Sequence, residues 1–152
     1  MGIDAGQRAP HFELQDDQGN LVKLSAALEK GPVVLFFYPK DETPGCTKEA
    51  CTFRDAFSGF TEAGASVFGI SSDSSASHQR FRAKHSFPFP LLSDEGGKIR
   101  KLYGVPKTLG FLDGRSTYVI DRGGTVRHVF HSQLAVTRHA EEALVAVQGL
   151  RA

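Results

Sequence analysis

The chain has 152 residues, with 18 lysines and arginines against 17 acidic residues and a net charge of +1. That length suits one domain over residues 1–152, large enough to bury about two-thirds of its unfolded surface, and the balanced charge argues against nucleic acid or an anionic membrane as partner. Met1 to Gly6 show no basic-then-apolar leader and no run approaches the roughly 18 apolar residues of a membrane span, so a soluble, cytoplasmic protein is expected.

In chain order, His11–Leu14 and Leu21–Leu24 alternate around Asp16-Asp17-Gln18-Gly19-Asn20, which predicts a hairpin of two short strands. Leu24–Leu28 reads as a short helical turn capped by Ser25. Val33–Tyr38 is apolar, β-branched and aromatic between Gly31-Pro32 and Pro39, the pattern of a strand buried on both faces. From about Cys46 to Phe60 the apolar residues Ala50, Phe53, Ala56, Phe57 and Phe60 recur every three or four positions, predicting a helix closed by Gly64. A second buried strand follows at Ser66–Ser72, then a Ser/Asp loop and a helix from His78 to His85. Phe87–Asp94 is a proline-interrupted extended element, and Lys98–Tyr103 a short helix. Ser116–Asp121 and Thr125–Phe130 alternate around Arg122-Gly123-Gly124 as an antiparallel hairpin, and Val136–Leu150 closes the chain as an amphipathic helix. This order is that of an α/β, thioredoxin-like fold: a central mixed sheet flanked by helices, with an N-terminal β-hairpin extension.

Both cysteines lie just after the central strand. Cys46 falls at the start of the predicted helix, where unpaired backbone N–H groups and the helix dipole favour a thiolate over a thiol. Lys40 and Lys48 add to this, while Asp41 and Glu42 oppose it. Cys51 is five positions on. In a regular helix the two Cα atoms stand roughly 8.7 Å apart, whereas a disulfide needs about 4.4 to 6.8 Å, so the helix must unwind for the pair to close. That spacing suits a bond made and broken in a cycle better than a permanent staple. Two unrelated thiols, one of them a small buried hydrophobe, is the plainer reading.

Pro39, Thr43 and Cys46 reproduce a Pro-x-x-x-Thr-x-x-Cys pattern, and with Cys51 five residues on the chain resembles the peroxiredoxins, in their bacterioferritin-comigratory or PrxQ branch. The likeness extends to Gly6–Phe12, Gly104-Val105-Pro106, Gly114–Asp121 and the C-terminal helix. It implies a thiol-dependent peroxidase with Cys46 as the peroxidatic and Cys51 as the resolving cysteine. The product is an intramolecular disulfide, reduced by thioredoxin or a similar dithiol. It also implies a monomer with no cofactor, acting on hydrogen peroxide and organic hydroperoxides. Donors to the peroxide are expected from the Thr43 hydroxyl, the backbone N–H groups of Gly45 and Cys46, and, by the resemblance, Arg115, with Glu49 orienting that arginine. Pro39 is expected to act structurally, ending the strand.

Thr43 bracing the turn, Arg115 as a surface residue and Glu49 as a solvated helix residue are the plain alternatives. Around Gly110-Phe111-Leu112 the apolar residues suggest a rim for larger peroxides. His128 and His131, three apart on a strand, point to opposite faces, and His11, His78, His85 and His139 read as surface or loop residues, so no metal site is expected. Two other functions compete: a disulfide reductase of the same fold, against which Cys-x-x-x-x-Cys argues, and a redox sensor or chaperone-like module built on the cysteine switch.

Overall fold

The computed structural model describes residues 2–108 and 112–150. An N-terminal hairpin, β1 (Glu13–Asp16) and β2 (Leu21–Lys23), leads through α1 (Leu24–Lys30) to the central strand β3 (Val33–Phe37). Next come α2 (Pro44–Asp55), α3 (Phe57–Glu62), β4 (Ser66–Ser71), α4 (Ser75–His85), β5 (Leu91–Ser93) and α5 (Lys98–Tyr103). A small ribbon of β6 (Lys107–Thr108) and β7 (Leu112–Asp113) precedes the hairpin β8 (Ser116–Ile120) and β9 (Val126–His131), and α6 (Arg138–Gly149) ends the fold. The seven-stranded sheet runs β2-β1-β5-β4-β3-β8-β9, with β3, β4 and β5 mutually parallel and the other pairings antiparallel. This is the expected thioredoxin-like mixed sheet, and the N-terminal hairpin extends it by pairing β1 with β5.

β3 is fully buried because helices cover both faces. Its alternation sends Val34 and Phe36, with Tyr38, into one core with Phe53 and Phe60 of α2 and α3, Phe81 of α4, and Ala140, Ala143 and Val147 of α6. Val33, Leu35 and Phe37 enter the opposite core with Leu24, Ile99, Tyr103 and Phe12. Each of these large side chains contributes about 1.5–3 kcal/mol by leaving water. Phe53 adds a stacked contact on Phe36, 4.3 Å between centroids, and another on Phe60 at 5.8 Å, which fastens the C-terminal half of α2 to the sheet.

Several boundaries differ from the sequence reading. The helix carrying the cysteines starts at Pro44, not Cys46, because proline supplies a pre-set φ and lacks the N–H that a first helical residue cannot use. It also stops at Asp55: Ala56 (φ −95°, ψ 3°) divides it from α3. The apolar periodicity crosses this break because both pieces face the same core. Ser25 does not cap α1, whose cap position is Lys23 without a side-chain bond. α4 begins before His78, at Ser75, where Ser74 accepts the Ser77 N–H at 3.2 Å. Gly31, with φ 148°, turns α1 into β3, and a Cβ there would meet the Gly64 carbonyl oxygen at 2.2 Å. Among the described residues no helix is long and apolar enough to cross a membrane.

Candidate active site

The site lies where β3 ends and α2 begins. Tyr38 still pairs through its N–H with the Ile70 carbonyl at 3.1 Å, and Pro39, which has no N–H to offer, ends the ladder. The following loop is held from beneath. Asp41, buried, accepts the Tyr38 hydroxyl at 2.6 Å and the Ser77 hydroxyl at 2.8 Å, and lies 2.7 Å from His78 Nδ1. His78 Nε2 donates to the Leu92 carbonyl at 2.9 Å, and Asp73 accepts both the Asp41 N–H and the Ser71 hydroxyl. Asp41, Asp73 and His78 present ligand-type atoms within 4.8 Å of one another, but those atoms are already used in these bonds, so the cluster acts as a brace for the loop. It also corrects the reading of His78 as a surface residue, because the ring is completely buried. Glu42 follows in a left-handed conformation, φ 63°, which turns the chain sharply into α2.

Pro44, Gly45 and Cys46 are the first three residues of α2. The helix offers no carbonyl to the N–H groups of Gly45 and Cys46, so both face outward from the helix start. Cys46 is buried at 1% exposure and is a free thiol, as is the half-buried Cys51. The first-turn position aims the Cys46 sulfur across the end of β3 toward the neighbouring strand. There the antiparallel register pairs Phe37 with Ser116, which sets the preceding residue, Arg115, beside the end of β3. Arg115 Nη1 donates to Cys46 Sγ at 3.4 Å and to Glu49 Oε1 at 2.5 Å, one N–H to each, and Nε reaches the Gln133 carbonyl at 3.4 Å. A cation this close attracts negative charge on the sulfur. Gly45 makes room for it: a Cβ there would stand 3.2 Å from Arg115 Nη2.

The structure thus brings Cys46, Gly45, Glu49 and Arg115 together, and removes the plain readings of Arg115 as a surface residue and Glu49 as a solvated one, since both are buried. Thr43 stands beside them at the cap position, but its hydroxyl donates to the Lys40 carbonyl at 2.9 Å. Its proton therefore braces the turn, and what the hydroxyl has left to offer a ligand is its capacity to accept. Cys51 lies about one and a half turns further along the unbroken α2, and burial pushes its thiol up from the ordinary value, with Arg54 opposing. Gly110, Phe111 and the side chain of Leu112, named as an apolar rim, lie outside the described residues.

Two residues at the site were missed in the sequence. Arg100, on α5, donates to the Tyr38 carbonyl at 2.6 Å and the Gly114 carbonyl at 2.7 Å, tying the end of β3 to the residue before Arg115. Nothing in Lys98–Tyr103 marks it. His139, on α6, is the second correction: it is completely buried rather than a surface residue. Its Nε2 donates to the Ser132 carbonyl at 2.8 Å, Nδ1 lies 2.7 Å from the Thr117 hydroxyl, and the same nitrogen is 3.5 Å from Glu49 Oε2. His128 and His131 are separate, as their spacing implied, the first on Glu142 and the second on Ser116.

Burial pulls His139 down to about 4, with the Ser132 bond opposing. An unfolded chain protonates this histidine near 6.5, so between those pH values the unfolded state binds the extra proton. The histidine's own contribution to stability is therefore lost as pH falls from about 6.5 to about 4, by on the order of 3 kcal/mol, while Glu49, pushed up to about 8, contributes with the opposite sign. Urea denaturation across this range is expected to show a flatter acid limb in His139→Asn than in wild type; equal slopes would refute the burial effect.

Comparison with known proteins gives a consistent picture. The model of the AhpC/TSA family matches residues 5–129. A chloroplastic peroxiredoxin Q of Sedum lineare is 51% identical over 150 residues, 98% of this chain and 80% of that protein. One of Oryza sativa subsp. japonica is 50% identical over 149 residues, 97% and 68% of the two chains. Among solved structures, peroxidoxin BcpB from Mycobacterium tuberculosis superposes with a TM-score of 0.91 at 42% identity, covering 99% of both chains. Peroxiredoxin Q of Xanthomonas campestris gives 0.83 at 33%, covering 91% of this chain and 90% of that one. The chloroplastic relatives overturn the expectation of a cytoplasmic protein. That expectation rested on the make-up of the first residues and on the lack of a long apolar run, neither of which distinguishes the cytoplasm from an organelle.

Proposed function

Because the chain belongs to the AhpC/TSA family, in the peroxiredoxin Q branch of its thiol peroxidases, we propose that Cys46 is its peroxidatic cysteine and Cys51 its resolving cysteine. The observation that carries this assignment is the buried Cys46 sulfur at the first turn of α2 with the Arg115 guanidinium 3.4 Å away. The Cys46 thiolate attacks the terminal oxygen of a hydroperoxide: the S–O bond forms, the O–O bond breaks, and the leaving oxygen takes a proton as water or alcohol. Arg115 and the free N–H groups of Gly45 and Cys46 meet the developing negative charge. Thr43, with its own proton spent on Lys40, orients the peroxide by accepting from it.

Cys46 sulfenic acid and the Cys51 thiol then condense to a disulfide with loss of water, and a thioredoxin-type dithiol restores both thiols by exchange. No cofactor takes part in these steps. The fold sets a limit on the rearrangement: Phe53, fully buried against Phe36 and Phe60, anchors the end of α2, so unwinding is confined to the turns between Cys46 and Cys51. The break at Ala56 isolates α3 from it. Hydrogen peroxide and organic hydroperoxides are the proposed substrates; alkyl peroxide reduction is named for the Xanthomonas campestris bacterioferritin comigratory protein, 33% identical to this chain. The biological role that follows is antioxidant defence and redox homeostasis. The chain works as one domain and as a monomer in this reading.

Mass and free-thiol counts after one equivalent of hydrogen peroxide test it. Wild type is expected to lose both thiols, whereas Cys51→Ser accumulates a sulfenic acid on Cys46 that a dimedone-type reagent traps. Wild-type thiols that persist for minutes would overturn the peroxidase assignment and favour a disulfide reductase.

A further inference from the structure

Behind Arg115, the Glu49 carboxyl is arranged in a way that an ion pair alone does not explain. Both side chains are buried, and Glu49 Oε1 takes the Arg115 bond. The other oxygen, Oε2, is buried with no hydrogen-bond partner. Its nearest ionisable neighbour across the helix interface is His139 Nδ1 at 3.5 Å. Since Nε2 of that ring faces a carbonyl oxygen, Ser132 at 2.8 Å, it must carry hydrogen, and Nδ1 of the neutral ring, whose lone pair takes the Thr117 hydroxyl proton at 2.7 Å, has no hydrogen to offer Glu49. A buried carboxylate oxygen facing a ring nitrogen that carries no hydrogen is repelled and unsolvated. A single proton on Oε2 removes that repulsion.

We propose that Glu49 and His139 together hold one exchangeable proton, so that the pair carries no net charge and Arg115 faces the Cys46 sulfur as an uncompensated cation. This rests on the peroxidase reading above. His139 is then a positioning residue: it touches no substrate, and it acts by disfavouring the Glu49 carboxylate that would neutralise Arg115. Thr117, 2.7 Å from Nδ1, fixes the plane of the ring, and α6 is thereby wired into a site otherwise built by α2 and β8.

The charged groups around the pair are few. Arg115 and, more distantly, Arg100 on α5 face Glu49 and favour its ionised form; burial outweighs them and pushes its carboxyl up to about 8. Cys46 shares Arg115 from the same helix. Arg115 and His131, on β9, face His139 and disfavour a charge on it. The sign follows: the proton is held below about pH 8 and lost above it, where the Glu49 carboxylate competes with the thiolate and the peroxide oxygens for Arg115.

The test is the rate of Cys46 oxidation by hydrogen peroxide per thiolate, the thiolate being counted by its ultraviolet absorbance, from neutral pH to about two units above it. Wild type is expected to lose about tenfold between one unit below and one unit above the Glu49 midpoint. Glu49→Gln, permanently neutral, removes that decline whatever its absolute rate. His139→Leu, which deletes the nitrogen that repels the carboxylate, moves the decline to lower pH, and His139→Asn, which restores an electron-rich atom near the Nδ1 position, moves it back. Infrared difference spectra read the proton directly: a protonated-carboxyl band that disappears on the same midpoint and is absent in Glu49→Gln. A decline that survives in Glu49→Gln, or no protonated-carboxyl band at neutral pH, would overturn the proposal. An unreactive Cys46 in the wild type would instead overturn the peroxidase reading, while the infrared band still reports on the pair.

Discussion

Cys46→Ser is expected to abolish peroxide reduction, lowering the rate by about four orders of magnitude or more. Serine nearly matches cysteine in size, and the buried position lies beside the Arg115 N–H, 3.4 Å from the present sulfur, which gives the new hydroxyl oxygen a donor. The fold should therefore survive. What disappears is the nucleophile, because an alcohol near neutral pH has no population comparable to a thiolate, and one guanidinium does not close that gap. Peroxide consumption with a dithiol reductant, measured beside a denaturation curve, checks both halves. A variant that folds normally and keeps more than about a hundredth of the activity would remove Cys46 from its assigned role, since loss of a nucleophile ordinarily costs far more.

Arg115→Met carries the second largest effect, a fall of about two to three orders of magnitude in the rate of Cys46 oxidation, the range seen when a preorganised donor to a developing oxyanion is removed. Methionine keeps the length and loses the donors. The companion Arg115→Lys is expected to recover only part of the rate. In the arginine a single Nη1 serves both Cys46 Sγ and Glu49 Oε1 while Nε is directed at the Gln133 carbonyl, and an ammonium on a flexible stem does not reproduce that planar fork. Stopped-flow oxidation at a fixed pH distinguishes the cases. Full activity in Arg115→Lys would show that charge alone matters, and full activity in Arg115→Met would leave the site without its proposed cation. Folding is expected to tolerate the loss, because Glu49, whose carboxyl is pushed up to about 8, enters the core neutral instead of as a stranded charge.

The two variants separate local from long-range chemistry, and legibility in the sequence divides along the same line. Pro39, Thr43, Gly45, Cys46 and Cys51 lie within thirteen consecutive positions, and a strand ending in proline followed by a helix start determines their relative placement without help from the rest of the chain. Arg115 lies 69 residues from Cys46, and spacing alone left it a surface residue; the family resemblance pointed to it, and the pairing of Phe37 with Ser116 brings it to the sulfur. The histidines show the opposite case. His78 and His139 sit among polar or charged residues, in Ser-Ala-Ser-His-Gln-Arg and Val-Thr-Arg-His-Ala-Glu, which read as exposed helix faces. Both can be buried because a carbonyl outside their own helix, Leu92 or Ser132, accepts from one ring nitrogen, and a side chain from another strand or loop, Asp41 or Thr117, meets the other. Arg100 follows the same rule, reaching the carbonyls of Tyr38 and Gly114.

By itself the sequence determined the elements and the candidate centre: a buried central strand, a helix with a cysteine in its first turn, a second cysteine too far along a regular helix to bond the first, and the thioredoxin-like order of strands and helices. These are short-range properties, set by periodicity, by proline and by helix geometry. The tertiary structure alone decided the electrostatics of that centre. Which charges face the sulfur, which oxygen lacks a partner and which ring nitrogen carries no hydrogen depend on strand register and on the docking of α6, and both are outcomes of packing between segments far apart in the chain.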